Sequence, residues 1–157
     1  MESLDSFRKL FDYDYWGNQE ALQSIETVTG SREQALKIAG HILGAQRVWL
    51  TRLENPEFSP GTPRPVLNLD EARTAAEELH RRLTALLGNL RPEKLEEDLV
   101  YRNTKGVEFR TPLRDVLTHL VMHSAYHRGQ IAAAVREAGG KPAATDYVVY
   151  VRQVKKS

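Results

Sequence analysis

The chain has 157 residues, of which 41% are hydrophobic and 27% are charged, the balance of an ordinary soluble globular protein. A chain of this length can bury a core without disulfides, and we expect a single domain over residues 1–157. Its 22 basic and 21 acidic residues give a net charge of +1, which offers no field to attract nucleic acid or an anionic membrane. Because there is no cysteine, thiolate metal sites and cysteine nucleophiles are excluded, leaving His, Asp and Glu as metal ligands.

The start of the chain predicts where the protein acts. Met1-Glu-Ser-Leu-Asp has neither the basic region nor the apolar run of a signal peptide. No stretch approaches the ~20 apolar residues that a membrane-spanning helix needs. We therefore expect a cytoplasmic protein that has no membrane partner.

Two helices are predicted in the first third of the chain. The first covers about residues 4–28, where one narrow apolar stripe at helical spacing contains Leu4, Phe7, Phe11, Leu22 and Ile25. The second opens with the capping-box pattern Ser31-x-x-Gln34 and continues to about residue 54. Its predicted buried face contains Ile38, Ile42, Ala45, Trp49 and Leu53. A loop rich in proline follows, with Pro56, Pro60, Pro63 and Pro65.

A third helix and a hairpin are predicted in the middle of the chain. The helix begins with a second capping-box pattern, Asn68-x-x-Glu71, and ends near Gly88. Residues 99–110 alternate partially in polarity on both sides of a turn at residues 103–106, which predicts a short β-hairpin. A two-stranded hairpin is only marginally stable alone, so we expect it to pack against the helices.

The fourth helix has clear signals at both ends. Thr111 is its predicted N-cap, with Pro112 at the first helical position, and it stops at Gly139-Gly140. Residues 146–152 are β-prone and apolar, so we expect them to pack across the helices. The predicted fold is therefore all-α, a four-helix bundle with a short β-hairpin between helices three and four.

Helix four has two apolar faces. The main face contains Leu113, Val116, Leu117, Leu120, Ile131 and Val135. The second consists of small or flexible residues, namely Met122, Ala125, Gly129 and Ala133. Such a ridge lets another helix approach closely, and that helix is either a neighbour within the bundle or the partner helix of a homodimer.

Three histidines recur every four residues on helix four. At helical spacing His123 and His127 lie about 40° and about 80° from His119, within the arc of the main apolar face. Residues four apart have Cβ atoms roughly 5–6 Å from each other, so two of these imidazoles can converge on one ion. Spacing alone leaves the His119/His123 and His123/His127 pairs equivalent.

His41 is the candidate third ligand, because a well-held metal needs at least three protein ligands. On helix two it shares the face of Ile38 and Ile42, so it also points inward. Separate buried imidazoles would each need a hydrogen-bond partner, whereas an ion between them satisfies all three together. The spacing predicts a metal site built from two helices.

Several other polar residues are candidates for contacts near the site or for the surface. His80 completes a single Glu77-x-x-His80 motif among charged neighbours and is predicted to be a surface residue. Asp14 and Asn18 lie in line with the apolar stripe of helix one, so they need a polar partner: a metal-bound water, the free N–H of a ligand histidine, or a contact with a cap or loop near the termini. Near the site in sequence, Tyr126 and Gln130 lie close to the histidine stripe, while Arg128 lies on the opposite side of the helix.

With these residues in place, the sequence resembles the DinB family, also called the DinB/YfiT-like metalloenzyme superfamily. The residues that carry the resemblance are Tyr13-Asp-Tyr-Trp-Gly-Asn18, His41 with Trp49, His119-x3-His123-x3-His127-Arg-Gly-Gln130, Gly140-Lys-Pro and Thr145-Asp-Tyr147. The resemblance implies a four-helix bundle, usually dimeric, with the ligand set His41, His123 and His127 and with His119 as a neighbour. It implies zinc, nickel, iron or manganese as the metal. Asp14 departs from the family, which often has Asn there.

The resemblance also implies an activity. Family members of known activity are metal-dependent transferases or isomerases that act with low-molecular-weight thiols. We therefore expect a metal-dependent thiol S-transferase, with a small thiol and an electrophile as its partners. The alternatives are a metal-dependent hydrolase that uses metal-bound hydroxide and a non-catalytic, damage-inducible stress-response module that binds metal.

Overall fold

The computed structural model of the protein describes residues 3–57 and 61–156, so Met1 and Pro60 of the predictions above lie outside the described residues. The elements are α1 (Leu4–Glu26), α2 (Glu33–Glu54), α3 (Leu69–Asn89), a 3₁₀ helix (Pro92–Glu96), β1 (Asp98–Arg102), β2 (Glu108–Pro112), α4 (Leu113–Glu137) and α5 (Tyr147–Val154). Among the described residues, no helix combines the length and apolar character needed to cross a membrane.

The four long helices form the predicted bundle. Helix α1 packs on α3 and α4, and α2 packs on the same two helices, so α1 and α2 lie diagonally across the bundle. The core between them contains Phe7, Ile25, Leu50, Leu79, Leu117 and Leu120, all at most 1% exposed. Because α4 borders both α1 and α2, its main apolar face is covered from two sides.

The small-residue ridge of α4 lies on the outside of this bundle. Met122 is 67% exposed, and Ala125, Gly129 and Ala133 are also exposed. The ridge is therefore not covered by a neighbouring helix of the described chain. The other predicted contact of this ridge, with the helix of a homodimer partner, stays a prediction.

The helix ends follow the sequence signals in part. The capping box of α3 is confirmed, because Glu71 N donates to Asn68 Oδ1 and Asn68 N donates to Glu71 Oε2. The one predicted for α2 does not form: the Ser31 hydroxyl accepts from Glu33 N, and the helix begins at that residue without a side-chain cap. At the end of α4, Gly139 has a φ of +81° and terminates the helix as predicted.

The predicted hairpin is present and alters the start of α4. Strands β1 and β2 are antiparallel, with Tyr101 opposite Phe109 and Leu99 opposite Thr111. The Thr111 hydroxyl hydrogen-bonds to the Tyr101 hydroxyl at 3.0 Å. Thr111 as the N-cap of α4 was thus a wrong prediction: it belongs to β2, and Pro112 occupies the cap position.

The β-prone segment after α4 forms the helix α5, contrary to the expectation from its composition. No strand of the described chain pairs with it, since the sheet contains only β1 and β2. A segment without a strand partner satisfies its backbone groups locally, as a helix does. The expected packing is found: the Tyr13 ring of α1 contacts the rings of Tyr147 and Tyr150, with centroids 5.1 and 5.8 Å apart.

Candidate metal centre

The bundle brings three of the predicted histidines together. His41 on α2 and His123 and His127 on α4 offer ring nitrogens that all lie within 4.8 Å of one another. The Nε2 atoms of His41 and His123 are 3.2 Å apart. Two imidazole nitrogens at ~2.0–2.1 Å from one tetrahedral ion would be about 3.4 Å apart, so the spacing fits a single metal ion.

Two of the three rings are oriented by hydrogen bonds on the side away from this centre. His41 Nδ1 donates to the Pro63 carbonyl oxygen at 2.9 Å, and His127 Nδ1 donates to Gln130 Oε1 at 2.7 Å. With a proton on Nδ1, each ring turns the Nε2 lone pair inward. A divalent cation bound between converging lone pairs would remove their mutual repulsion, so the donor set fits a divalent metal.

The surroundings also keep these imidazoles in the form that binds metal. Burial, reinforced by the charges of His127 and His41, lowers the pKa of His123 to about 4. Burial likewise lowers the pKa of His41. Because a metal competes with a proton for the same nitrogen, both lowered pKa values leave the ligands available at neutral pH.

His119 belongs to a neighbouring aromatic cluster. Its ring contacts the Trp49 ring, with centroids 5.8 Å apart, and the Trp49 ring contacts the Tyr101 ring of β1 at 4.7 Å. The Arg52 guanidinium lies over both Trp49 and Tyr101. His119 still touches the His123 ring, at 5.4 Å, so it lies beside the three-histidine group without joining it.

The loop segment at residues 63–65 lies directly against α2 beside His41. A Cβ atom on Gly44 would be 2.4 Å from Pro65 Cδ and 2.7 Å from the Pro63 carbonyl oxygen, and one on Gly40 would be 2.5 Å from the Pro65 carbonyl oxygen. Both glycines are therefore needed for this close approach, which delivers the Pro63 carbonyl to His41. The sequence signal for this approach is a pair of glycines near His41, Gly40 and Gly44, together with the prolines of the next loop.

Gly44→Ala should therefore weaken metal binding without altering a ligand. The added methyl group must displace backbone atoms of Pro63, and His41 then loses the acceptor that orients its ring. Loss of such an orienting partner costs about 10- to 100-fold in metal affinity. Competition titration of zinc against a chromogenic chelator measures this loss. Gly88→Ala is the matched control, because a Cβ on that helical glycine meets nothing within 4 Å; equal affinities in the two variants would contradict the role of the loop.

Asp14 and Asn18 are buried as predicted, but their partner is Arg128. The Arg128 side chain is fully buried, and its Nη1 donates to Asp14 Oδ1 at 3.1 Å and to Asn18 Oδ1 at 3.0 Å. Gln46 of α2 donates to Asp14 Oδ2 at 2.6 Å and also contacts the Ser124 hydroxyl at 3.1 Å. Burial raises the pKa of the Asp14 carboxyl, and the Arg128 charge opposes this shift.

The sequence did not predict this network, because helical spacing puts Arg128 opposite the histidine stripe, whereas the structure buries it. The inward Asp14 was the available signal, since a buried carboxylate needs a cationic partner. Ser124 and Arg128 directly follow His123 and His127 in sequence. The network therefore ties α1 and α2 to α4 immediately behind the histidine group.

His80 is less exposed than predicted and lies apart from the site. Its side chain is 25% exposed, its ring stacks on Tyr15 with centroids 4.3 Å apart, and its Nε2 is 3.5 Å from Asp12 Oδ1. The physical reason is the packing of α1 on α3, which covers one face of the ring. It takes no part in the three-histidine group.

An open cleft of about 540 Å³ borders the three-histidine group. Its wall consists of Gln34, Lys37, Ile38, His41, Arg64, His127, Gln130, Ala133, Ala134 and Glu137. Of the two residues predicted near the histidine stripe, Gln130 bonds to His127, while Tyr126 is 68% exposed with its ring 5.1 Å from the His127 ring. A small molecule in this cleft would lie beside two of the three histidines.

The fold and the site together define a helical-bundle protein with a three-histidine group that could hold a metal ion. The model of the DinB family matches residues 17–156, and the chain belongs to this family. It is 30% identical to the protein DinB of Bacillus subtilis (strain 168) over 164 aligned positions that cover 94% of each chain. A crystal structure of a DinB-like protein from Bacillus cereus ATCC 10987 has the same fold, with a TM-score of 0.65 and 21% identity over 91% of this chain and 97% of that one.

Proposed function

We propose that the protein is a divalent-metal-dependent enzyme, specifically a low-molecular-weight-thiol S-transferase. One observation carries the proposal: His41, His123 and His127 converge beside an open cleft, and among the described residues no carboxylate joins them. Three protein ligands with a position left for substrate are typical of catalytic metal sites, whereas four protein ligands are typical of structural ones.

The chain's own residues suit this chemistry. Neutral imidazoles leave the full charge of the ion uncompensated, and Pro63 and Gln130 hold two of the rings in place. A divalent cation in such a site lowers the pKa of a thiol or water that it binds. Since the chain has no cysteine, the sulfur nucleophile must come from a substrate thiol. Zinc, nickel, iron and manganese are the candidate metals, because all accept imidazole nitrogen.

We further propose that the protein acts in the cytoplasm as a homodimer that uses the ridge of α4. The exposed ridge consists of Met122 and three small residues, next to the exposed Tyr126 ring. A flat, small-residue helix face lets a second helix approach closely. Because the exposed Tyr126 ring beside this ridge contacts His127, a partner chain bound to the ridge would lie near the cleft.

The experiment compares metal-loaded, chelated and reconstituted protein in a thiol-transfer assay. Glutathione, cysteine and coenzyme A are each mixed with monochlorobimane; the thiol sulfur forms a bond to carbon, chloride leaves, and the thiol proton passes to solvent. We expect fluorescence growth above the uncatalysed rate with at least one thiol, its loss on chelation and its return when zinc, nickel, iron or manganese is restored. His123→Ala should stay inactive after metal is added.

Four outcomes would overturn the transferase proposal. Thiol transfer that survives complete metal removal, or that persists in His123→Ala, would separate the activity from the histidine group. Metal-dependent hydrolysis of p-nitrophenyl acetate without thiol transfer would favour the hydrolase alternative. Metal binding without turnover of any of these substrates would favour the non-catalytic, damage-inducible module.

A further inference from the structure

Arg64 lies in the wall of the cleft on a segment that α2 holds in place. The residue before it, Pro63, accepts the hydrogen bond from His41, and the residue after it, Pro65, packs against two glycines of α2. The backbone on both sides of Arg64 is therefore fixed relative to His41.

The Arg64 guanidinium has no partner among the residues that the structure describes. It is exposed and makes no hydrogen bond or ion pair with any residue that the structure describes. Arg64 lies in the same cleft wall as His41 and His127, so its charge is close to the histidine group. Lys37, in the same wall, differs because its ammonium is 2.9 Å from the Glu33 carboxylate.

The wall is cationic near the histidines and acidic at its far end. Its one carboxylate, that of Glu137, belongs to a residue ten positions after His127 on α4, which is about 15 Å along the helix axis. Among the described residues no ion pair joins Arg64 and Glu137. A divalent ion held by three neutral imidazoles would add to the positive potential beside Arg64.

We propose that Arg64 binds the carboxylate of a small acidic reactant, so that this enzyme prefers acidic thiols or acidic electrophiles over neutral ones. The inference rests on the proposed function, because the acid is taken to be a reactant at the same metal site. A guanidinium offers paired N–H donors that match the two oxygens of a carboxylate. Arg64 thereby selects the substrate class while the histidine group carries the chemistry.

Calorimetric titration of the zinc-loaded protein tests this assignment through binding alone. The probes are mercaptosuccinate, succinate and 2-mercaptoethanol, and the variants are Arg64→Gln, Arg64→Lys and, as a control, the exposed Arg91→Gln outside the cleft. We expect Arg64→Gln to weaken mercaptosuccinate binding about 10- to 100-fold and to leave 2-mercaptoethanol unchanged. Arg64→Lys should restore part of the affinity, since it keeps the charge but loses the paired donors.

The probes show which reactant carries the carboxylate and which of the two proposals is wrong if one fails. Arg64-dependent binding of succinate, which has no thiol, supports a carboxylate on either reactant. If Arg64→Gln binds mercaptosuccinate as tightly as the wild type, or loses 2-mercaptoethanol equally, the assignment of Arg64 is wrong. If acid binding depends on Arg64 but the protein transfers no thiol, only the proposed reaction is refuted. If the protein transfers thiols but acid binding does not depend on Arg64, only the assignment of Arg64 is refuted.

Discussion

His123→Ala is expected to abolish metal binding while leaving the bundle folded. Two histidines would remain in the group, fewer than the three protein ligands that a well-held ion needs. Elemental analysis of protein purified without a histidine tag should find one metal ion per wild-type chain and almost none per variant chain. Zinc should raise the melting temperature of the wild type and leave that of the variant unchanged, because a ligand stabilises the folded state only if it binds to it.

His119→Ala is the matched control for this substitution. It removes the same side chain from the same helix, one turn earlier, at a position that contacts Trp49 and His123 but lies outside the group. The control should keep its metal ion. Unchanged metal content in His123→Ala would remove the basis for the site, and equal loss in both variants would mean that the ligand set extends to His119.

Asp14→Ala should cause the largest loss of stability among single substitutions at the buried network. The change leaves the fully buried Arg128 guanidinium without its anionic partner, and breaking a buried pair in this way costs about 3–5 kcal/mol. Because the total stability of a domain is about 5–15 kcal/mol, the urea midpoint should fall steeply. If Asp14→Ala does not fold, the milder Asp14→Asn should still show a lowered midpoint.

Asp5→Ala is the control for burial, since it removes an Asp–Arg pair from the same helix at the surface. The Asp5 side chain is 88% exposed where it pairs with Arg8, and such exposed pairs contribute about 0–1 kcal/mol. The double variant Asp14→Leu/Arg128→Met should recover much of the lost stability, because it removes both buried charges. Comparable small losses of stability in Asp5→Ala and Asp14→Ala would show that the buried pair stabilises the fold no more than the exposed pair does.

The local structure was predictable where the signal lies within one segment. Apolar residues at helical spacing defined α1 to α4, and the reciprocal bonds of Asn68 and Glu71 were readable from their spacing. The start of α4 was not readable, because Thr111 pairs with Leu99 of β1, twelve residues earlier in the chain. The helix α5 was missed for a related reason: β-propensity describes a fit to a neighbouring strand, and residues 146–152 have none.

The histidines show the same difference between what one segment specifies and what the packing of segments decides. The sequence alone predicted that His41, His119, His123 and His127 face inward, because the period of a helix fixes which residues share a face. The structure confirms partial burial for His41, His123 and His127, whereas His119 is exposed, so that part of the prediction was wrong. It could not choose between the two pairs on α4, and only family resemblance favoured the later one. The tertiary structure decided which rings meet, since the crossing of α2 over α4 places His41 beside His123 and His127 and leaves His119 against Trp49.

Contacts between distant segments also determined what surrounds the histidine group. The Pro63 carbonyl reaches His41 across 22 positions, and Arg128 reaches Asp14 across 114. Neither contact has a periodic signature, because the partner of a polar group depends on how helices and loops pack and not on its own neighbours in sequence. The chain alone therefore specified a helical bundle with histidines on its inner faces, and only the packed structure brought three of them together beside a cleft whose wall includes Arg64.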